Sequence, residues 1–292
     1  MRVTDSMLYE LNRINIAKSR EEVAQAQETL TTGRRVQDPS DDPADFAAAR
    51  RERSREARAA MHKESAERAI ANLQLTDDTL SNVTDILNRA RELATQTAND
   101  TLNAGDRLNA ASEVEELRQQ LISLANTQGQ GGAYLFAGYL EDAPPFDASG
   151  TFVSDQNVRE VEVAPGVRMP MKINAQAAFA PGAPDDPIAV LENLSTALRA
   201  DDVPAIRGTL DGLDIAHGRV SDARGTTGAL IAALDVAQSV ADRVEDEAAI
   251  RQTELVGESD VDAYFAFNQA QTALNTAVQI AGELPPPSLA QR

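Results

Sequence analysis

Both ends of this chain carry narrow helical seams, and a narrow seam needs a partner helix. Near the C-terminus, Ala263, Phe267, Ala270, Leu274, Ala277, Ala281 and Leu284 recur at alternating steps of four and three. Near the N-terminus, Tyr9, Ile16, Val23 and Leu30 recur every seven residues, with Ala26 between the last two. Spacing of this kind puts one apolar stripe along a helix and leaves the rest polar. The only strand-like alternation lies far from either end. Such an order describes a chain that goes out and returns, so that its termini meet. It favours assembly over catalysis.

Between the ends the helical period continues. The sequence predicts a helix over residues 5–32 and a break from Thr31 to Pro43, with Gly33 ending the first helix. Asp42 is placed to cap a second helix, with Pro43 at its first position and Asp45 in its first turn. That helix should reach Asn99, with a clean seam of Ala69, Leu73, Thr76, Leu80, Val83, Leu87, Ala90, Ala94 and Thr97. Upstream, the same register meets His62, Arg55 and Glu52, so a bend or change of partner is expected between 50 and 66. A helix of this length spans about 80 Å, more suited to a rod than to a compact domain. A short turn at Asn103–Asp106 predicts an antiparallel third helix with Ala110, Val114, Leu117, Leu121 and Leu124 inward, stopped by Gly129, Gly131 and Gly132.

The period then changes. Tyr134–Tyr139 reads as a short strand or hairpin arm. Val161 and Val163 alternate with glutamates; Val167, Met169, Met171 and Ile173 alternate with Arg168, Pro170 and Lys172. With Ala164-Pro165-Gly166 as the loop, Val163 should face Val167, Val161 should face Met169, and Glu162 should face Arg168. Residues 140–186 are thus a small β insertion that must lean on the helices. Asp186-Pro187 starts helices over 187–200 and 203–252, and Gly257–Asp260 marks the break before the C-terminal seam. Pro285 to Pro287 end that seam and leave a polar tail.

Composition narrows the function. A net charge of −19 repels nucleic acid and anionic membrane surfaces, so neither is an expected partner. No apolar run approaches the roughly 20 residues of a membrane span, and Met1 to Glu10 lack the apolar core of a cleavable signal. The absence of Cys rules out disulfides and thiolate metal sites. His62 and His217 stand without motifs, and the glycines at 129–132 lack the Gly-Lys-Ser/Thr of a phosphate loop. Asp38, Asp41, Asp42 and Asp45 lack the spacing of a calcium loop and fit helix capping. Arg50, Arg51, Arg53, Arg55 and Arg58 are interleaved with Glu52 and Glu56 and fit a solvated or inter-subunit face. No catalytic residue, cofactor or metal site is expected.

Two blocks carry a family resemblance. Thr32-Gly33-Arg34-Arg35-Val36, followed by Asp38-Pro39-Ser40-Asp41-Asp42-Pro43, resembles the first signature of the flagellar hook-associated protein 3 family, a relative of flagellin. Gly132–Tyr139, with Pro145-Phe146 after it, resembles that family's second signature, and the start through Tyr9-Glu10 also fits. The Pro-rich tail departs from the apolar C-terminal end common in such proteins, and the β insertion has no similarity to place.

The resemblance implies a mainly α fold: long antiparallel helices forming a flagellin-like rod, paired terminal coiled-coil helices, and a small β-rich insertion. Its divisions would be 1–42 and 257–292 for the terminal helices and tail, 43–139 and 187–256 for the rod, and 140–186 for the insertion. It implies a structural ring joining hook to filament, with hook-associated protein 1 on one side and flagellin on the other. It also implies an export chaperone and passage out of the cell through the flagellar export channel. The expected assembly interface is Tyr9, Ile16, Val23, Leu30, Ala263, Phe267, Ala270, Leu274, Ala277 and Ala281. Gly33, Pro39, Asp42 and Pro43 would form a rigid elbow and helix cap. The competing expectations are a flagellin-like filament subunit and a cytosolic helical regulator.

Overall fold

The computed structural model describes residues 5–99 and 102–283. Leu284, Pro285–Pro287, the polar tail and the Met1–Thr4 start lie outside the described residues. The chain divides into two compact units, one from the two ends with boundaries at Ala57 and Val244, the other from Arg58 to Arg243. The helices are α1 (Asp5–Thr32), α2 (Pro43–Thr97), α3 (Ala104–Ala125), the single-turn α4 (Ala175–Ala178), α5 (Pro187–Arg199), α6 (Val203–Val256) and α7 (Asp260–Glu283). Strands β1 (Glu160–Ala164) and β2 (Val167–Pro170) form a two-stranded antiparallel sheet. The fold is therefore mainly α with a small β insertion, as the helical periodicity predicts.

In the unit of residues 58–243, α2 and α6 run antiparallel. Lys63 meets Asp242, Asp77 meets Arg224 and Arg91 meets Asp214, so the pairs climb one helix as they descend the other. These exposed pairs mark register and add little stability. The core beneath them is apolar. All nine residues of the α2 seam from Ala69 to Thr97 are buried. Leu80, Val83, Leu87, Ala90 and Ala94 pack with Val114 and Leu121 of α3 and with Leu191, Leu194 and Leu198 of α5, and α3 lies along α5. Asp186 caps α5 through the Ile188 N–H at 2.9 Å, with Pro187 in the first turn.

One buried cation organises the far end of α2. Arg107, only 4% exposed, donates to the carbonyls of Thr97 at 3.1 Å and Asn99 at 2.9 Å and pairs with Asp201. The last carbonyls of a helix lack intrahelical partners, and the guanidinium satisfies that of Thr97 together with the Asn99 carbonyl just past the helix end. Asp201 sits at φ +56°, a conformation that Asp tolerates and this ion pair holds.

The insertion follows the expected pairing in part. Val161 pairs with Met169 and Glu162 with Arg168. Val167, however, pairs with Ala164 rather than Val163, because a bulge intervenes between Glu162 and Ala164. The bulge turns Val163 into a core with Ala66, Ala69, Leu73 and Leu234, so the hairpin does lean on α2 and α6. Tyr134–Tyr139 is not a strand. Only an isolated bridge from Gln128 to Tyr134 forms there. Beyond it, the N–H groups of Tyr139 and Leu140 are taken by the Asp155 carboxylate at 2.7 and 3.0 Å, which precludes a ladder. The third helix also stops earlier than the glycines, at Asn126, whose side chain brackets the Phe146 backbone. Phe136, Phe146, Phe152 and Phe179 close this region edge to face, at centroid distances of 4.9–5.5 Å.

Gly138 of the second signature has a specific cause. A Cβ there would lie 1.8 Å from Asp155 Oδ1 and 2.6 Å from the Asp155 carbonyl. Gly138→Ala should therefore displace the Asp155 loop and destabilise the full chain by roughly 1–3 kcal/mol, the usual range for overpacking. Urea unfolding measures this; a change within about 0.5 kcal/mol, the scatter of neutral surface substitutions, would mean that the loop is free to move aside.

Candidate functional site

The unit formed by the chain ends is held by α1, α7 and the segment Gly33–Pro43. Gly33 takes φ +66°, which ends α1 at little cost for a residue without Cβ. The backbone then pairs with the segment after α6. Arg35 N–H donates to the Val256 carbonyl at 2.7 Å, and Glu258 N–H donates to the Gly33 carbonyl at 3.0 Å, around an Arg34–Gly257 bridge. Val36, Ala49 and Val256 form a small buried core there, with Phe46 and Leu255 against it.

Carboxylates stiffen the segment. Asp42 Oδ1 accepts from the Ala44 and Asp45 N–H groups, both at 3.0 Å, and Phe46 N–H bonds the Asp42 carbonyl at 2.9 Å. Asp41 Oδ2 accepts from Gln37 and Asp38 N–H at 3.0 and 2.9 Å. Arg35 pairs with Asp45 at 2.6 Å and donates to the Leu255 carbonyl at 3.2 Å. Pro43 opens α2, and Pro39 lies exposed in the turn beside Asp38–Asp41. On the other strand of this junction, Ser259 caps α7 by accepting from Asp262 N–H at 3.1 Å and donating to its carboxylate at 2.8 Å.

From this junction α1 and α7 run antiparallel and pack on each other. The protected residues of α7 are Ala263, buried, and Phe267, Ala270, Leu274, Ala277 and Ala281, half-buried, with Asn268 beside them. Those of α1 include Ile16, Val23, Ala26 and Leu30. The two thin seams thus face each other within one chain. Tyr9 shares the α1 register but is exposed. Equal steps down both helices from the Gly33–Glu258 bond place it level with the last described turn of α7.

A second set of apolar residues lies outside the expected interface. Met7, Leu11 and Ile14 of α1 are exposed, as are Val261, Phe265 and Ile280 of α7, Phe265 by 68%. At about 100° per residue, Met7, Leu11, Ile14, Val261 and Phe265 fall on the side of each helix away from its seam, and Ile280 lies about 100° round from the α7 seam, on its flank. Phe265 and Ile280 flank a shallow groove with Thr272 and Thr276 between them. The signal was present in the sequence as a second apolar period, masked by the stronger seam. Among the described residues, no group of three or more His, Cys, Asp or Glu could hold a metal, and no helix is long and apolar enough to cross a membrane.

The helical frame has known counterparts. Residues 3–141 match the bacterial flagellin N-terminal helical region. The chain resembles flagellar hook-associated protein 3. It is 36% identical to the protein of that name from Salmonella typhimurium over 149 residues, 50% of this chain and 46% of the relative. It therefore spans about half the length of the relatives it matches. Among solved structures, the flagellar hook-associated protein-3 of Legionella pneumophila superposes with a TM-score of 0.62 at 16% identity, covering 70% of this chain and 98% of that one. A second Legionella pneumophila structure, described as the flagellar junction protein FlgL, superposes with a TM-score of 0.54 at 15% identity, over 63% and 98%. At these identities the superpositions establish a shared fold.

The junction should loosen in acid. Backbone hydrogen bonds, from Asp45 first for Asp42 and from Asp38 first for Asp41, hold both carboxyls below the ordinary aspartate range. A lowered folded pKa means that this contribution is complete above the unfolded value of about 3.9. It is lost as pH falls through the lower folded values. Amide exchange at Gln37, Asp38, Ala44 and Asp45, corrected for intrinsic rates, should rise in that window before exchange at Arg35. Asp42→Asn, which keeps the cap without the charge, should flatten the change at Ala44 and Asp45. An equal rise at all five amides would assign the effect to global unfolding. Separately, Ser259→Ala should cost α7 roughly 1 kcal/mol.

Proposed function

We infer that this chain is a structural junction protein of the bacterial flagellum, joining the hook to the flagellin filament, without enzymatic activity. The observation that carries this reading is the α1–α7 pair with apolar residues on its outer sides, in a chain similar to hook-associated protein 3 over half of its length. A helical pair that has satisfied its own seam and still exposes Phe265, Ile280 and Ile14 is built to be covered by something else.

The mechanism is mechanical. Copies of the chain form a ring, with hook-associated protein 1 on the hook side and flagellin on the filament side. An export chaperone holds the chain before it leaves the cell. Ile16, Val23, Leu30, Ala263, Phe267, Ala270, Leu274, Ala277 and Ala281 serve assembly by pairing α1 with α7, and the exposed Tyr9 at the end of the same α1 register serves it by meeting a neighbour. The outer residues then meet neighbouring subunits. Gly33, Pro39, Asp42 and Pro43 hold the end of α1 to the first turn of α2, so that the same junction repeats in every subunit of the ring.

Deleting the gene should leave hooks that shed flagellin into the medium, seen by electron microscopy and a supernatant blot. Two complementing variants separate the roles of the two faces. Phe267→Asp with Leu274→Asp puts charge into the seam and should unpair α1 from α7. Phe265→Asp with Ile280→Asp should leave the pair intact, with unchanged exchange protection along the seam, yet still fail to hold filaments. Normal motility from the second variant would remove the outer face from the assembly. Intact filaments in the deletion strain would refute the junction role, and abundant self-polymerisation of the purified chain would favour a filament subunit instead.

A further inference from the structure

A cleft of about 300 Å³ lies between α2 and the β insertion, entirely within residues 58–243. Its apolar lining comes from Leu135, Val161 and Met171. Around these gather Arg68, Arg159 and Lys172 against one carboxylate, Glu141. Three cations at one site are unexpected in a chain of net charge −19. The sequence gives no hint of it, because the three come from α2, β1's approach and the segment after β2.

The donors at this cleft outnumber their acceptors. Lys172, 6% exposed, has three N–H donors and gives two of them, to the Gly138 carbonyl and Glu141 Oε1, each at 2.8 Å. Arg159 gives one N–H to Glu141 Oε2 at 2.8 Å. Arg68 has no ion pair among the described residues. Burial disfavours the Glu141 anion, yet Lys172 and Arg159 hold its pKa below the ordinary value, so it is ionised and neutralises one cation. Two positive charges and several unused N–H groups remain beside an apolar floor. A few convergent polar groups over an apolar lining are the usual composition of a small-molecule site.

We propose that this cleft binds a carboxylate on a short hydrocarbon stem, its oxygens held by Arg68, Arg159 and the free Lys172 donor and its stem on Leu135, Val161 and Met171. The chemistry is that of a free dicarboxylate or of a glutamate side chain offered by another protein. It stands apart from the junction role, since it uses none of the residues assigned to assembly.

The full chain, labelled at methionine methyls and backbone amides, tests this by titration with glutarate, its uncharged analogue glutaramide, inorganic phosphate and a short alanine peptide carrying one central glutamate. Glutarate should shift the Met171 methyl and the Tyr134 amide saturably, and glutaramide should not. Arg68→Gln and Arg159→Gln change exposed side chains; each should weaken binding roughly tenfold through loss of a charge-assisted bond, with an unchanged melting temperature in Arg68→Gln, which breaks no ion pair among the described residues. Binding of the glutamate peptide above that of glutarate points to a protein side chain as the natural source, and the reverse order to a free dicarboxylate. No saturable shift, an equal response to glutaramide, phosphate binding as tight as glutarate, or full binding in both arginine variants would overturn the proposal.

Discussion

The backbone bonds that join Gly33 and Arg35 to Glu258 and Val256 bring the two ends of the chain together. Helices as thinly seamed as α1 and α7 are marginal in isolation, because alanines bury little area per turn and nucleation costs several residues of order. Tying the end of one to the start of the other makes their meeting intramolecular. The seam then needs to supply only alignment. Small residues at Ala263, Ala270, Ala277 and Ala281 permit close approach, while Phe267 and Leu274 fix the register. Every later property of the pair, including which faces remain outward, follows from that junction.

The junction in turn is polar where most cores are apolar. Only Val36, Ala49 and Val256 are buried in it. The rest is hydrogen bonding by Asp41, Asp42 and Arg35 to backbone groups that a tight turn would otherwise leave unpaired. Prolines and capping carboxylates restrict the unfolded chain as well as the folded one. A stiff, shallow junction of this kind transmits geometry without needing a large core.

How much of this was legible depended on the range of each interaction. The α2 seam could be read residue by residue, because burial on one helix face leaves a local period. The Asp42 and Asp186 caps were legible for the same reason: the donor lies two or three residues away. The Val163 bulge was not, since it answers to Ala66 and Leu234 on distant helices. Nor were Arg107 on the end of α2 or Asp155 against Gly138, where a side chain from the next element or loop satisfies backbone groups outside any local period. The seam residues were expected to form an interface, and they face each other within the chain. The outer residues Met7, Phe265 and Ile280 were hidden because two apolar faces on one helix blur a single periodicity. The cationic cleft was illegible because Arg68, Arg159 and Lys172 belong to three separate segments.

The outer faces also bear on why a chain so exposed need not assemble spontaneously. Met7, Leu11, Ile14, Val261, Phe265 and Ile280 are each half exposed or more. Full burial of such a side chain is worth about 1.5–3 kcal/mol, so covering the remaining half of six gives roughly 5–9 kcal/mol. Losing translational and rotational freedom on association costs about 4–15 kcal/mol. One such contact therefore barely balances its own cost. A subunit that enters between two neighbours, or onto an existing end, makes two contacts for a single loss of freedom. Assembly is then favoured at a growing structure and disfavoured free in solution. A net charge of −19 on every copy pushes the same way, by repelling isolated chains more than it can overcome paired contacts. On the proposed role, that balance confines the protein to the end of the structure it joins.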